Sequence, residues 1–213
     1  MKTDDLVAML ATGATPVDRH VLQRRMSVAL LIGAIGSVLL MQLAFGVRPD
    51  IGRMVHVPIF WEKLAFPTVL GIGAMWAVAR LSRPGRRAGN AWLVAAAPVA
   101  VVWFSALIVL MGTPADERVA MMLGQTWRVC PFNIALLSVP TFIAIQIAMR
   151  GLAPTSPRVA GAAGGLLSGA IATIAYSLHC PEMGVAFWAI WYVLGMAIPA
   201  VIGALWGPKL LRW

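Results

Sequence analysis

The sequence predicts an all-α membrane protein, a six-transmembrane-helix bundle with both termini cytoplasmic, and three observations predict it. Hydrophobic residues make up 60% of the chain and charged residues only 12%, where a soluble domain carries about 25% charge. Too little charge is left to clothe a water-facing surface. Apolar runs of spanning length recur at residues 26–47, 60–81, 91–112, 130–149, 159–178 and 185–206; roughly 20 residues cross a hydrocarbon core about 30 Å thick. Basic residues fall on alternate connections. With the N-terminus inside, Lys2, Arg19, Arg24, Arg25, Arg80, Arg83, Arg86, Arg87, Arg150, Arg158, Lys209 and Arg212 are cytoplasmic, against Arg48, Arg53, Lys63, Arg118 and Arg128 outside. That asymmetry satisfies the positive-inside rule. The chain then divides into a tail over 1–25, a membrane domain over 26–207 and a short tail over 208–213.

The opening "MKTDDLVAMLATGATPV" predicts a short helix. Thr3 caps it, Asp4 and Asp5 in its first turn complement the helix dipole, and Gly13 offers a stop. Leu6, Met9 and Leu10 share one face. About ten residues do not hold a helix in water, and an acidic polar face is wrong for anionic lipid. Asp4, Asp5, Leu6, Met9 and Leu10 are therefore expected to seat in a groove on a protein partner. The first 25 residues hold no apolar core of the signal-peptide kind, so the first run is expected to remain as a span.

The second span carries Glu62 and Lys63 near its start. Both read as interfacial, with Lys63 snorkelling toward headgroups. The loop "RLSRPGRRAGN" reads as a topology determinant rather than a nucleic-acid patch, and no direct nucleic acid binding is expected. "TPADERVAMMLGQTW" predicts a short helix over the outer mouth of the bundle, capped by Thr113 with Pro114 in its first turn. Pro140 and Pro199 should kink the fourth and sixth spans or leave a carbonyl unpaired. Gly161, Gly165 and Gly169 recur every four residues on one face of the fifth, where a neighbouring backbone can approach closely.

No ionisable residue lies deep in any span, which argues against a coupled transporter. Paired carboxylates in a plausible cleft, a phosphate loop and a zinc-type CxxC are all absent, so the chain does not read as an enzyme. The chemistry concentrates in "WRVCPFN" and "SLHCPEMG", which hold the two cysteines of the chain, Cys130 and Cys180. From Cys130 down to Arg150 and from Arg158 up to Cys180 the two arms differ by about 3 Å at 1.5 Å per residue. Both sulfurs thus fall at matching depth on the outer face of a helical hairpin. A structural disulfide, a thiol pair for a thiophilic metal and a redox switch all fit this placement. His179, Met183 and His56 are candidate auxiliary metal ligands on the same side.

These features converge on a known family. On "MKTDDLVAMLATGATPV", "RPDIG", "PIFWEKL", "WRVCPFNIALLSVP" and "YSLHCPEMGVAFWAIWYVLGMAIPAVIGALWGPKLLRW", the chain resembles the inner-membrane anti-sigma factors of the NrsF type, nearly end to end. The resemblance implies a six-helix protein of the bacterial inner membrane that holds an extracytoplasmic-function (ECF) sigma factor there. It also implies release of that factor under heavy-metal or related stress, with the response carried by periplasmic cysteines that match Cys130 and Cys180. No cofactor is required on this reading beyond transient binding of a thiophilic metal ion. The rival readings are a membrane thiol-disulfide oxidoreductase, which would need a second dithiol for relay, and a metal transporter.

Overall fold

The computed structural model describes residues 3–12 and 20–212. Gly13, Lys2 and Arg19, used above for the helix stop and the charge count, lie outside the described residues. The elements are helical throughout: α1 (Thr3–Thr12), α2 (Val21–Ala44), α3 (Ile51–Met54), α4 (Pro58–Leu81), α5 (Ala91–Gly112), α6 (Ala115–Leu123), α7 (Cys130–Arg150), α8 (Pro157–Ser177), α9 (Val185–Phe187) and α10 (Val193–Leu210). A π-helical turn over Trp188–Tyr192 joins α9 to α10, making one continuous sixth span of Val185–Leu210. Among the described residues, six helices are thus long and apolar enough to cross a membrane.

The boundaries follow local chemistry. Helix α2 begins at Val21, before the apolar run, because Gln23, Arg24 and Arg25 are good helix formers. It stops where Gly46 takes φ +74, a left-handed backbone that glycine adopts without penalty. Prolines open α4, α7 and α8 within the first turn, where the missing N–H has no partner to lose. Pro67, Pro98, Pro140 and Pro199 lie inside spans whose helices continue past them. In the connection after α5, Thr113 does not cap α6: its hydroxyl donates back to the Val109 carbonyl at 2.8 Å. Pro114 occupies the cap position of α6 instead.

Helix α8 is the hub. It packs against α10, α7, α4 and α2, and its span is 72% buried, against 17% for α5 at the rim. Its glycines make this possible. A Cβ on Gly161 would meet the Gly203 backbone, one on Gly165 the Pro199 carbonyl, and one on Gly169 would come 2.9 Å from the Met196 Cα. The glycine face therefore belongs to the α8–α10 contact. On another face, Gly164 admits Ile145 and Met149 of α7. The core is divided along the length of the bundle. One cluster, including Met41, Phe66, Ile134, Trp188 and both cysteines, lies at the cysteine end. The other, including Met26, Val78, Ile145, Met149 and Leu167, lies toward the opposite, arginine-bearing end.

Candidate functional site

Cys130 is the first residue of α7, and its backbone N–H is taken by the Thr126 carbonyl at 3.0 Å. Cys180 ends the turn that closes α8. The N–H groups of His179 and Cys180 both return to the Tyr176 carbonyl, at 3.0 and 2.9 Å. Pro181 cannot extend the helix, so the chain leaves with the Cys180 carbonyl open to new donors. Both thiols are free, and both residues are fully buried. They belong to one core cluster and lie within electrostatic range of each other.

The open carbonyl is the focus of the site. Lys63 Nζ donates to it at 2.6 Å and Arg48 Nη1 at 3.3 Å. Lys63 is 0% exposed, which corrects the expectation that it snorkels to lipid headgroups. A buried ammonium requires hydrogen-bond partners; the turn after α8 supplies one, and the Tyr192 ring lies beneath Nζ at 5.8 Å. Two phenols complete the cluster. Tyr176 sits beside Cys130 and accepts from Asn133 Nδ2 at 3.5 Å. The Tyr192 hydroxyl is buried beside Ser177 and Cys180.

Two latches surround this core. Arg48 chelates Asp50 through Nε at 2.6 Å and Nη2 at 2.8 Å. That hydrogen bonding raises the Arg48 pKa and holds the Asp50 carboxyl below its ordinary range. On the other flank, Glu182 Oε1 accepts from Gln125 N at 2.7 Å, Thr126 N at 3.0 Å and Thr126 Oγ1 at 3.2 Å. Trp191 Nε1 donates to the Met122 carbonyl at 2.8 Å and its ring lies 5.4 Å from Trp127. The segment from α6 to Cys130 is thereby tied down over the end of the bundle.

Two of the candidate auxiliary metal ligands have partners of their own. His179 Nδ1 pairs with the Gly46 carbonyl at 2.9 Å, and Met183 Sδ accepts from Arg48 at 3.6 Å. His56 is exposed before α4. Among the described residues no three of His, Cys, Asp and Glu converge as a metal site. A four-ligand zinc centre needs more such donors than converge here. Of the proposed partner-binding residues, all of α1 is solvent-facing, including Asp4, Asp5, Leu6, Met9 and Leu10.

Sequence reasoning missed Lys63, Arg48, Tyr192 and Glu182 as members of the cysteine cluster. A signal existed for two of them. Lys63 interrupts an apolar run with no compensating loop, and Glu182 follows Cys180-Pro181 directly. Arg48 and Tyr192 carry no local mark, because only the tertiary turn after α8 brings them in.

A family model described as "Negative regulator of sigma F" matches residues 10–213. The chain belongs to the NrsF family. A curated relative from Azospira oryzae, named a probable anti-sigma-F factor NrsF, is 46% identical, with all of both chains covered. The anti-sigma-F factor NrsF of Caulobacter vibrioides is 36% identical, again over the full length of both. No solved structure matches the chain. These NrsF relatives are negative regulators rather than catalysts by name, and α1 is the one described element that leaves its apolar side chains without a packing surface.

Proposed function

We propose that this NrsF protein is an anti-sigma factor that holds an ECF sigma factor at the bacterial inner membrane through α1. In this reading the cysteine end is periplasmic, and modification of Cys130 and Cys180 releases the sigma factor. The observation that carries the proposal is that two free, fully buried thiols, one at the start of α7 and one just after the end of the hub helix α8, share one core cluster. An exposed amphipathic α1 supplies the complementary half.

Oxidation to a Cys130–Cys180 disulfide would pass two electrons to an external oxidant and release two protons; capture of a soft metal ion by the two thiolates would release two protons without electron transfer. Either event draws the start of α7 toward the end of α8. The shift has a route to the other end of the bundle. Helix α7 closes at Gly151, where the Arg25 guanidinium of α2 lies directly on the glycine, and α2 follows α1 in the chain. Moving a two-state balance from 1:99 to 99:1 takes about 5.5 kcal/mol of differential binding, within reach of thiolate–metal coordination at about 10–16 kcal/mol.

The test is a Cys130→Ser, Cys180→Ser variant in cells carrying a sigma-dependent reporter. The variant is expected to repress normally and to lose induction by metal or thiol oxidant. Unchanged induction would refute the cysteine reading.

A further inference from the structure

Only Arg25 and Gly151, at one end of the groove between α2 and α7, enter the reading above; the rest of its lining does not. The two helices touch near their middles. A Cβ on Gly33 would come 2.7 Å from the Thr141 Cα, one on Gly36 would come 2.8 Å from the Pro140 Cβ, and Ser37 and Thr141 share a hydrogen bond of 2.9 Å. Toward the arginine end Met26 and Ala29 still share a cluster with Ile145 and Met149, and a groove opens beside that contact. Val28 and Ile32 of α2 and Ile143 and Ile147 of α7 line a cavity of about 1170 Å³ instead of meeting one another.

The two ends of this cavity differ in chemistry. At one end stand Arg24, Arg25 and Arg150, none of them in an ion pair among the described residues. At the other end are Gly36 and Pro140. The ten residues from Pro140 to Arg150 rise about 15 Å, which is half of a hydrocarbon core about 30 Å thick. The groove is therefore one leaflet deep, apolar along its length and cationic at its mouth. An extended polypeptide lying in it would leave backbone N–H and C=O groups unpaired at membrane depth. An acyl chain has no such groups, and basic pockets between spans suit anionic headgroups.

We propose that the α2–α7 groove binds one anionic phospholipid of the leaflet at the arginine end, with Arg24, Arg25 and Arg150 on its phosphate and an acyl chain running to Gly36 and Pro140. The site stands on geometry and charge alone and does not depend on the anti-sigma reading. It predicts a lipid wedged between the helix that begins with Cys130 and the helix that follows α1.

The experiment uses the full-length protein exchanged into nanodiscs and then detergent, with retained lipid counted by native mass spectrometry. Phosphatidylglycerol and phosphatidylcholine are offered in equal amounts. Wild type should retain one phosphatidylglycerol with at least a tenfold preference. Arg25→Gln with Arg150→Gln should abolish the preference, and the two corresponding lysine variants should restore most of it. Ala144→Trp, which fills the groove without changing charge, should expel the lipid. Equal retention of the two lipids by wild type would overturn the proposal. So would a preference that survives both the glutamine and the tryptophan variants. Loss of sigma-factor binding by the glutamine variant, with lipid retention unchanged, would assign the arginines to a protein contact and overturn it as well.

Discussion

Lys63 carries the most strain-free explanation for why the Cys180 turn holds its shape. A charged donor on a buried carbonyl contributes roughly 1.5–3 kcal/mol, and here the bond is 2.6 Å with no water access. Replacing Lys63 by Met removes the donor and leaves the Cys180 carbonyl with Arg48 alone. At 1.4 kcal/mol per decade, local opening of the turn should become about 10–100 times more frequent. Alkylation of Cys180 by a small thiol reagent in detergent should accelerate by that factor; an unchanged rate would show that Lys63 does not hold the turn. The Arg48–Asp50 latch yields a pH prediction. The Asp50 pKa is lowered by the Arg48 hydrogen bond, so the latch is intact above the ordinary carboxylate range and is lost only as pH falls through the depressed value. Mild acidification to about pH 5 should not by itself induce the reporter, since ordinary carboxylates titrate near 4. Asp50→Asn should make Met183 and the Cys180 carbonyl more mobile at every pH, read as faster hydrogen exchange over residues 178–184.

At the scale of elements, the α8–α10 contact is set by glycines that tolerate no side chain. Gly165→Leu would drive a branched side chain into the Pro199 carbonyl and Ala200. Overpacking of a close contact costs about 1–3 kcal/mol, so a clear loss of thermal stability in detergent is expected. Gly52→Ala, where nothing lies within 4 Å, should be neutral and serves as the control. The spans themselves were readable in the sequence because the bilayer imposes a length and an apolar composition that no other solvent demands. The third span, residues 91–112, lies where the hydropathy places it, and α7 starts at Cys130. Less was legible wherever tertiary contacts decide. The sequence marked the Gly161–Gly165–Gly169 face, but not that α10 rather than α7 covers it. The π-helical turn at Trp188–Tyr192 left no periodic trace. Thr113 looked like a cap because the sequence shows which residue precedes a helix, not which carbonyl its hydroxyl reaches.

For the whole molecule, the division into two core clusters separates a chemical end from a charged end, and α8 with α7 spans both. The site was half legible on the same grounds. Two Cys-Pro motifs at equal depth pointed to a pair, because helix rise converts residue counts into height. The cation that faces the pair comes from another helix, and its height was readable while its direction was not. Helix α1 completes the account at the other pole. Deleting residues 2–15 should free the sigma factor and give constitutive reporter expression; persistent repression would move the grip to the arginine-rich 80–90 connection, where Arg80 already folds onto the Arg87 carbonyl at 3.1 Å. The most direct measurement is sigma-factor release from the purified complex in nanodiscs, followed while Cys130 and Cys180 are oxidised and their state is read by mass spectrometry. Dissociation in step with loss of the two thiols is the expected result. A sigma factor that stays bound after both cysteines are fully modified would contradict the account.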